Sequence, residues 1–168
     1  MTHTLPNDGL LKAARILITI IQVILGIGFA ALLVATPTVI FSQSHIADEL
    51  AATATANVGA IAISIACVLV LGAAMVSVAY YFLRLLKQMI NSVGDGDPFI
   101  AENADRLTRM GWLAVSIEGL KIPIGAIMIF ITTQLKEEFT IDADFSFTGL
   151  LIALVLFILA RVFRQGAA

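Results

Sequence analysis

Four long apolar runs, at about residues 16–36, 58–83, 111–135 and 145–163, decide what this chain can fold into. About 20 apolar residues in helical form cross the ~30 Å hydrocarbon layer of a bilayer. No water meets the backbone there, so a crossing segment must be a helix or part of a closed barrel. Unbroken apolar runs of this length, without strict alternation, predict helices. Composition agrees: 60% of the 168 residues are hydrophobic and 13% charged, against about one-half and one-quarter in a soluble domain. The expected fold is all-α: a polytopic membrane four-helix bundle, one four-span domain over 1–168, with the lipid bilayer as its first partner.

The ends of the runs carry their own signals. Lys12 and Arg15 precede the first run as they would in a secretory signal. Its length, however, exceeds the ~7–15 apolar residues of such a signal, so it is read as a retained span. Pro37 is expected to end that span, because proline has no N–H for the helical ladder. The fourth run is short, and Arg161 and Arg164 can snorkel outward so that Val162 and Phe163 lengthen it.

Charge placement sets the orientation. Of ten basic residues, Lys12, Arg15, Arg84, Lys87, Arg106, Arg109, Arg161 and Arg164 all fall on one side of a four-span arrangement. Lys136 stands alone on the other side and Lys121 lies inside the third span. The positive-inside rule then places both termini and the central connection in the cytoplasm of a bacterial inner membrane.

Several chemistries lack their residues. Cys67 is the only cysteine, so no internal disulfide or thiolate cluster can form; within an apolar run it is expected to be a buried small hydrophobe. His3 and His45 lie outside the spans, which leaves no pair to hold a haem between helices. No catalytic, cofactor-binding or metal-binding set is read. Small residues recur at helix-packing spacing: Ala62 with Ala66, Ala73 with Ser77, Gly26 with Ala30. They are expected to serve packing within the bundle, ahead of a homo-oligomeric face.

Residues 84–110 are the most patterned stretch. Leu83, Leu86, Ile90 and Val93 continue the second helix with one apolar face, and Gly94 is a natural stop. Asp95-Gly96-Asp97-Pro98 reads as a tight turn into a further helix with the stripe Ile100, Ala104, Leu107 and Gly111. Glu102 with Arg106, and Asp105 with Arg109, have i,i+4 spacing and are expected to pair. A cytoplasmic helical hairpin between the second and third spans follows. The proline and Phe99 interrupt any calcium-loop pattern, and Phe99 is expected to plug the turn against the helices.

Gly96-Asp97-Pro98-Phe99, then Glu102-Asn103 and Arg106-Leu107 between two apolar helices, resembles the DUF2975 family of small bacterial four-span membrane proteins. The basic end of the fourth span, Ala160-Arg161-Val162-Phe163-Arg164-Gln165-Gly166, is similar as well. The resemblance implies no established activity. It implies a pairing with a small helix-turn-helix regulator, since members are often encoded beside one. Members usually carry a further polar tail, which implies that this chain lacks its last residues.

Glu118 and Lys121 are charges within the third span, ~10–15 Å below an interface near Gly111. Such groups are costly in hydrocarbon and normally face a protein interior or a wet cavity. Their i,i+3 spacing lets them meet, and Pro123 frees the carbonyl of Gly119 beside them. A satisfied structural or switch-like pair is expected ahead of a transport site.

The functional expectation is a regulatory membrane protein. Its docking hairpin carries Arg84, Lys87, Asp97, Pro98, Phe99, Glu102, Arg106 and Arg109 and takes a cytoplasmic helix-turn-helix regulator, without binding nucleic acid directly. The rival is a small transporter or an accessory subunit of a larger membrane complex. Orientation is directly testable. With Cys67 replaced, cysteines at Ser44 and Asp142 should react with an impermeant thiol reagent in intact cells, and one at Ser92 should not. Labelling at Ser92 but not Ser44 inverts the assignment.

Overall fold

A computed structural model describes residues 8–42, 58–94, 99–135 and 147–167. They form four helices: α1 (Asp8–Phe41), α2 (Val58–Gly94), α3 (Ala101–Leu135) and α4 (Phe147–Gly166). All four are long and apolar enough to cross a membrane. Asp97, Pro98, Ser44, Lys136 and Asp142 lie outside the described residues.

Length separates the helices. At ~1.5 Å per residue, α4 is ~30 Å long and matches the hydrocarbon layer. The other three reach ~50–55 Å, so α2 beyond Leu83 and α3 before Gly111 overrun a single crossing. This basic end brings together the last turns of α2, the first turns of α3 and the end of α4.

Pro37 does not end the first helix. α1 runs through it to Phe41, although the carbonyl of Leu33 loses its helical donor. Two hydroxyls nearby bond other carbonyls: Thr36 Oγ1 donates to that of Leu32 at 2.8 Å and Thr38 Oγ1 to that of Ala35 at 2.7 Å. α3 likewise continues through Pro123.

The helices pack antiparallel and only in sequence order, α1 on α2, α2 on α3 and α3 on α4. No Cα of α1 comes within 8 Å of α3 or α4, and none of α2 within 8 Å of α4. Among the described residues the arrangement is therefore an open series rather than a closed ring. Leu11 and Leu32 of α1 lie against Gly94 and Gly72 of α2, and Ile18, in the same seven-residue register, is buried. That repeat is the one left-handed supercoiled helix pairs use. The opposite face of α1, with Leu17, Ile20, Ile24 and Ile27, is exposed.

Small residues bring the backbones close, though not all those expected do so. Ala62, Ala66 and Ala73 of α2 are buried, as are Ala104 and Ala114 of α3 and Ala153 and Ala160 of α4. Gly26 and Ala30 instead lie on the exposed face of α1, with nothing near Gly26. Cys67 is also exposed, which corrects its expected burial. Where α3 crosses α4, the Phe157 ring seats on Gly111, and a Cβ there would lie 2.7 Å from Cε1. Trp112 holds the ring edge-on at 5.6 Å.

This contact predicts that Gly111→Ala loses about 1–3 kcal/mol through overpacking. Adding Phe157→Leu should recover most of the loss. Thermal unfolding in a mild detergent measures both; equal stability of Gly111→Ala and the parent would remove the close approach as a determinant.

Candidate functional site

Polar groups gather at two places. The first is within the apolar part of α3. Lys121 Nζ donates to Glu118 Oε1 at 2.7 Å, so the i,i+3 spacing does bring the two charges together. The carboxylate is the buried partner, its side chain 6% exposed against 38% for the lysine. Gly149 of α4 faces it. A Cβ at that position would collide with the Glu118 carboxylate, so the pocket for this charge is the missing side chain of a glycine. Glu118 Oε2 is buried and has no hydrogen-bond partner among the described residues. A buried acceptor left unsatisfied costs free energy, which marks this carboxylate as a point of low stability in the α3–α4 seam.

The second place is the basic end. Asn103, fully buried, donates from Nδ2 to Ser92 Oγ at 2.7 Å, and its Oδ1 accepts from Arg106 Nη1 at 2.6 Å. Ser92 Oγ in turn donates to the Met89 carbonyl at 2.8 Å. This chain ties the last turn of α2 to the first turn of α3. Phe99 packs on Phe163 of α4, ring centroids 5.0 Å apart, and its ring also lies against Gly166. Arg164 Nη2 donates to Asp105 Oδ1 at 3.1 Å, a solvent-exposed bridge. The α1–α2 seam closes the other flank. Lys87 Nζ donates to Thr19 Oγ1 at 2.9 Å, and the Arg15 guanidinium lies over Gly94 at the end of α2. A cation there complements the negative end of the helix dipole.

The expected docking residues thus separate. Neither i,i+4 pair forms: Arg106 bonds Asn103 and Asp105 bonds Arg164. The reason is geometric: Asp105 is held by Arg164 of α4 and Arg106 by Asn103 one turn earlier on α3, in place of exposed pairs worth a few tenths of a kcal/mol. Lys87 and Arg106 are engaged internally. Arg84, Glu102 and Arg109 are exposed and have no partner among the described residues. Phe99 is half exposed although it packs on α4. Asp97 and Pro98 fall outside the described residues. Asn103 and Gly149 carry no signal of their own in the sequence beyond the place of Asn103 in the Glu102-Asn103 motif, and the spacing of Asp105 points to Arg109 rather than to Arg164. No group of three or more His, Cys, Asp or Glu side chains suited to a metal ion occurs among the described residues.

A family model described as a protein of unknown function (DUF2975) matches residues 43–168, three quarters of the chain. The chain belongs to the DUF2975 family. No curated protein and no solved structure shows a significant match. The matched segment of this DUF2975 member takes in α2, α3 and α4, with both polar centres, while α1 precedes it.

The buried pair gives a sharp expectation. Lys121→Met leaves the Glu118 carboxylate buried and alone, and should cost about 1–3 kcal/mol. Joining Glu118→Gln to Lys121→Met should restore part of that stability, because no charge is then stranded. A double-mutant cycle in detergent unfolding measures the coupling; strictly additive losses mean that the two charges serve separate ends.

Proposed function

We propose that this DUF2975 protein is a regulatory protein of a bacterial cytoplasmic membrane whose basic end faces the cytoplasm and docks a cytoplasmic partner. The family resemblance makes that partner a helix-turn-helix transcription regulator, held at the membrane or released from it. The orientation is supported by the basic residues at one end of all four helices.

One observation carries the reading. Ser92, Asn103 and Arg106, with Phe99 on Phe163 and Asp105 on Arg164, fasten parts of three helices into one platform. Arg84, Glu102 and Arg109 are among the charges it leaves outward. A surface fixed in advance loses little entropy on binding. Outward charges set encounter rate and orientation, and a half-exposed aromatic such as Phe99 supplies an anchor. The rival reading, an accessory subunit of a larger membrane complex, draws support from the open helix series, whose outer apolar faces other spans would fit.

Arg84→Glu together with Arg109→Glu should leave the fold and detergent stability intact while removing the copurifying soluble regulator. Arg106→Glu is a different change: it breaks the bond to Asn103 and should destabilise the α2–α3 junction by about 1–3 kcal/mol. Unchanged recovery of the regulator with the Arg84/Arg109 variant, correctly inserted, rules out this charged face. Recovery of a stoichiometric membrane subunit and no soluble partner favours the accessory role.

A further inference from the structure

We propose that the cleft between α3 and α4 at the basic end is a binding site for an anionic phospholipid with a singly charged phosphodiester headgroup. The cleft has a volume of about 420 Å³ and is lined by Thr108, Phe157, Ala160, Arg161, Arg164 and Gln165. Its floor is apolar, formed by Ala160 and by the Phe157 ring that seats on Gly111. Its rim is cationic. Arg161 is the first charged residue after the apolar stretch of α4 and has no partner among the described residues. Arg164 gives one nitrogen to Asp105 and keeps further N–H groups for another acceptor.

Charge and shape select the ligand. Two arginines beside one aspartate leave a single positive charge at the rim, which a phosphodiester balances. Guanidinium donors form a fork that fits phosphate oxygens two at a time. The Gln165 amide adds a donor, whereas the Thr108 hydroxyl already donates to the Ala104 carbonyl at 2.9 Å. A soluble phosphate would use the rim alone. An amphiphile also uses the floor, and its chains continue along Ile158, Leu154 and Leu151, which are exposed on the side of α4 that carries Arg161 and Gln165. Basic pockets between spans at the membrane surface recognise anionic headgroups by this combination.

The experiment uses the full chain purified in a mild detergent and native mass spectrometry after exchange into phosphatidylglycerol or phosphatidylcholine of equal chain length. One phosphatidylglycerol should stay bound per chain, and phosphatidylcholine should be lost under the same conditions. Arg161→Gln should weaken retention roughly fivefold, Arg161→Lys should weaken it less, and Arg84→Gln should leave it unchanged. Glycerol phosphate in excess should fail to displace the lipid. Monodisperse elution and unchanged melting of each variant certify its fold, and Arg161→Lys carries the test if Arg161→Gln does not fold. Equal retention of phosphatidylcholine, an equal loss in Arg84→Gln, or displacement by glycerol phosphate each overturns the proposal. Loss of both lipids from the parent protein overturns it as well.

Discussion

A helix already surrounded by lipid tails gains almost nothing by hiding a leucine from them, and this constraint governs the whole molecule. Association must then come from close van der Waals contact and from polar ties. The seams show both. Phe157 enters the space over Gly111, the Glu118 carboxylate enters the space over Gly149, and alanines line the buried faces of α2, α3 and α4. Among the described residues α1 touches α2 alone, and the small residues Gly26 and Ala30 on its outer face meet no neighbour.

Polar ties do the remaining work where the helices outrun a single crossing. The motif residues Asn103, Arg106 and Leu107 acquire a physical reason at the basic end. Asn103 ties α3 to α2 through Ser92 and is itself held by Arg106, and Leu107 is buried. The phenylalanine of the Gly-Asp-Pro-Phe segment reaches across to Phe163, near the end of α4. Residues far apart in the chain therefore converge on one platform, and the family match over residues 43–168 spans every element that builds it.

The buried charge and the cleft lie on one helix pair. Glu118 and Lys121 sit about ten residues along α3 from Thr108, which lines the cleft beside Arg161 and Arg164. Gly111, between them, seats Phe157, whose ring forms the cleft floor. The α3–α4 seam is thus a continuous contact that runs from a buried charge to a basic rim. A change in the packing of Phe157 would be felt at both ends.

Residue order alone determined the four long apolar helices, the gathering of basic residues at one end and the meeting of Glu118 with Lys121. Each depends on spacing within one helix or on composition, which is local information. Tertiary structure decided what depends on partners. Pro37 does not end α1, which runs on to Phe41. Arg106 turns to Asn103 instead of Glu102, and Asp105 to Arg164 instead of Arg109. Gly26, Ala30 and Cys67 face outward although their spacing or setting pointed inward. Lipid-facing and seam-facing positions are equally apolar in a membrane helix, so periodicity carries little trace of which face packs. Only the neighbouring helix, through the glycine that yields space or the side chain that fills it, settles that choice.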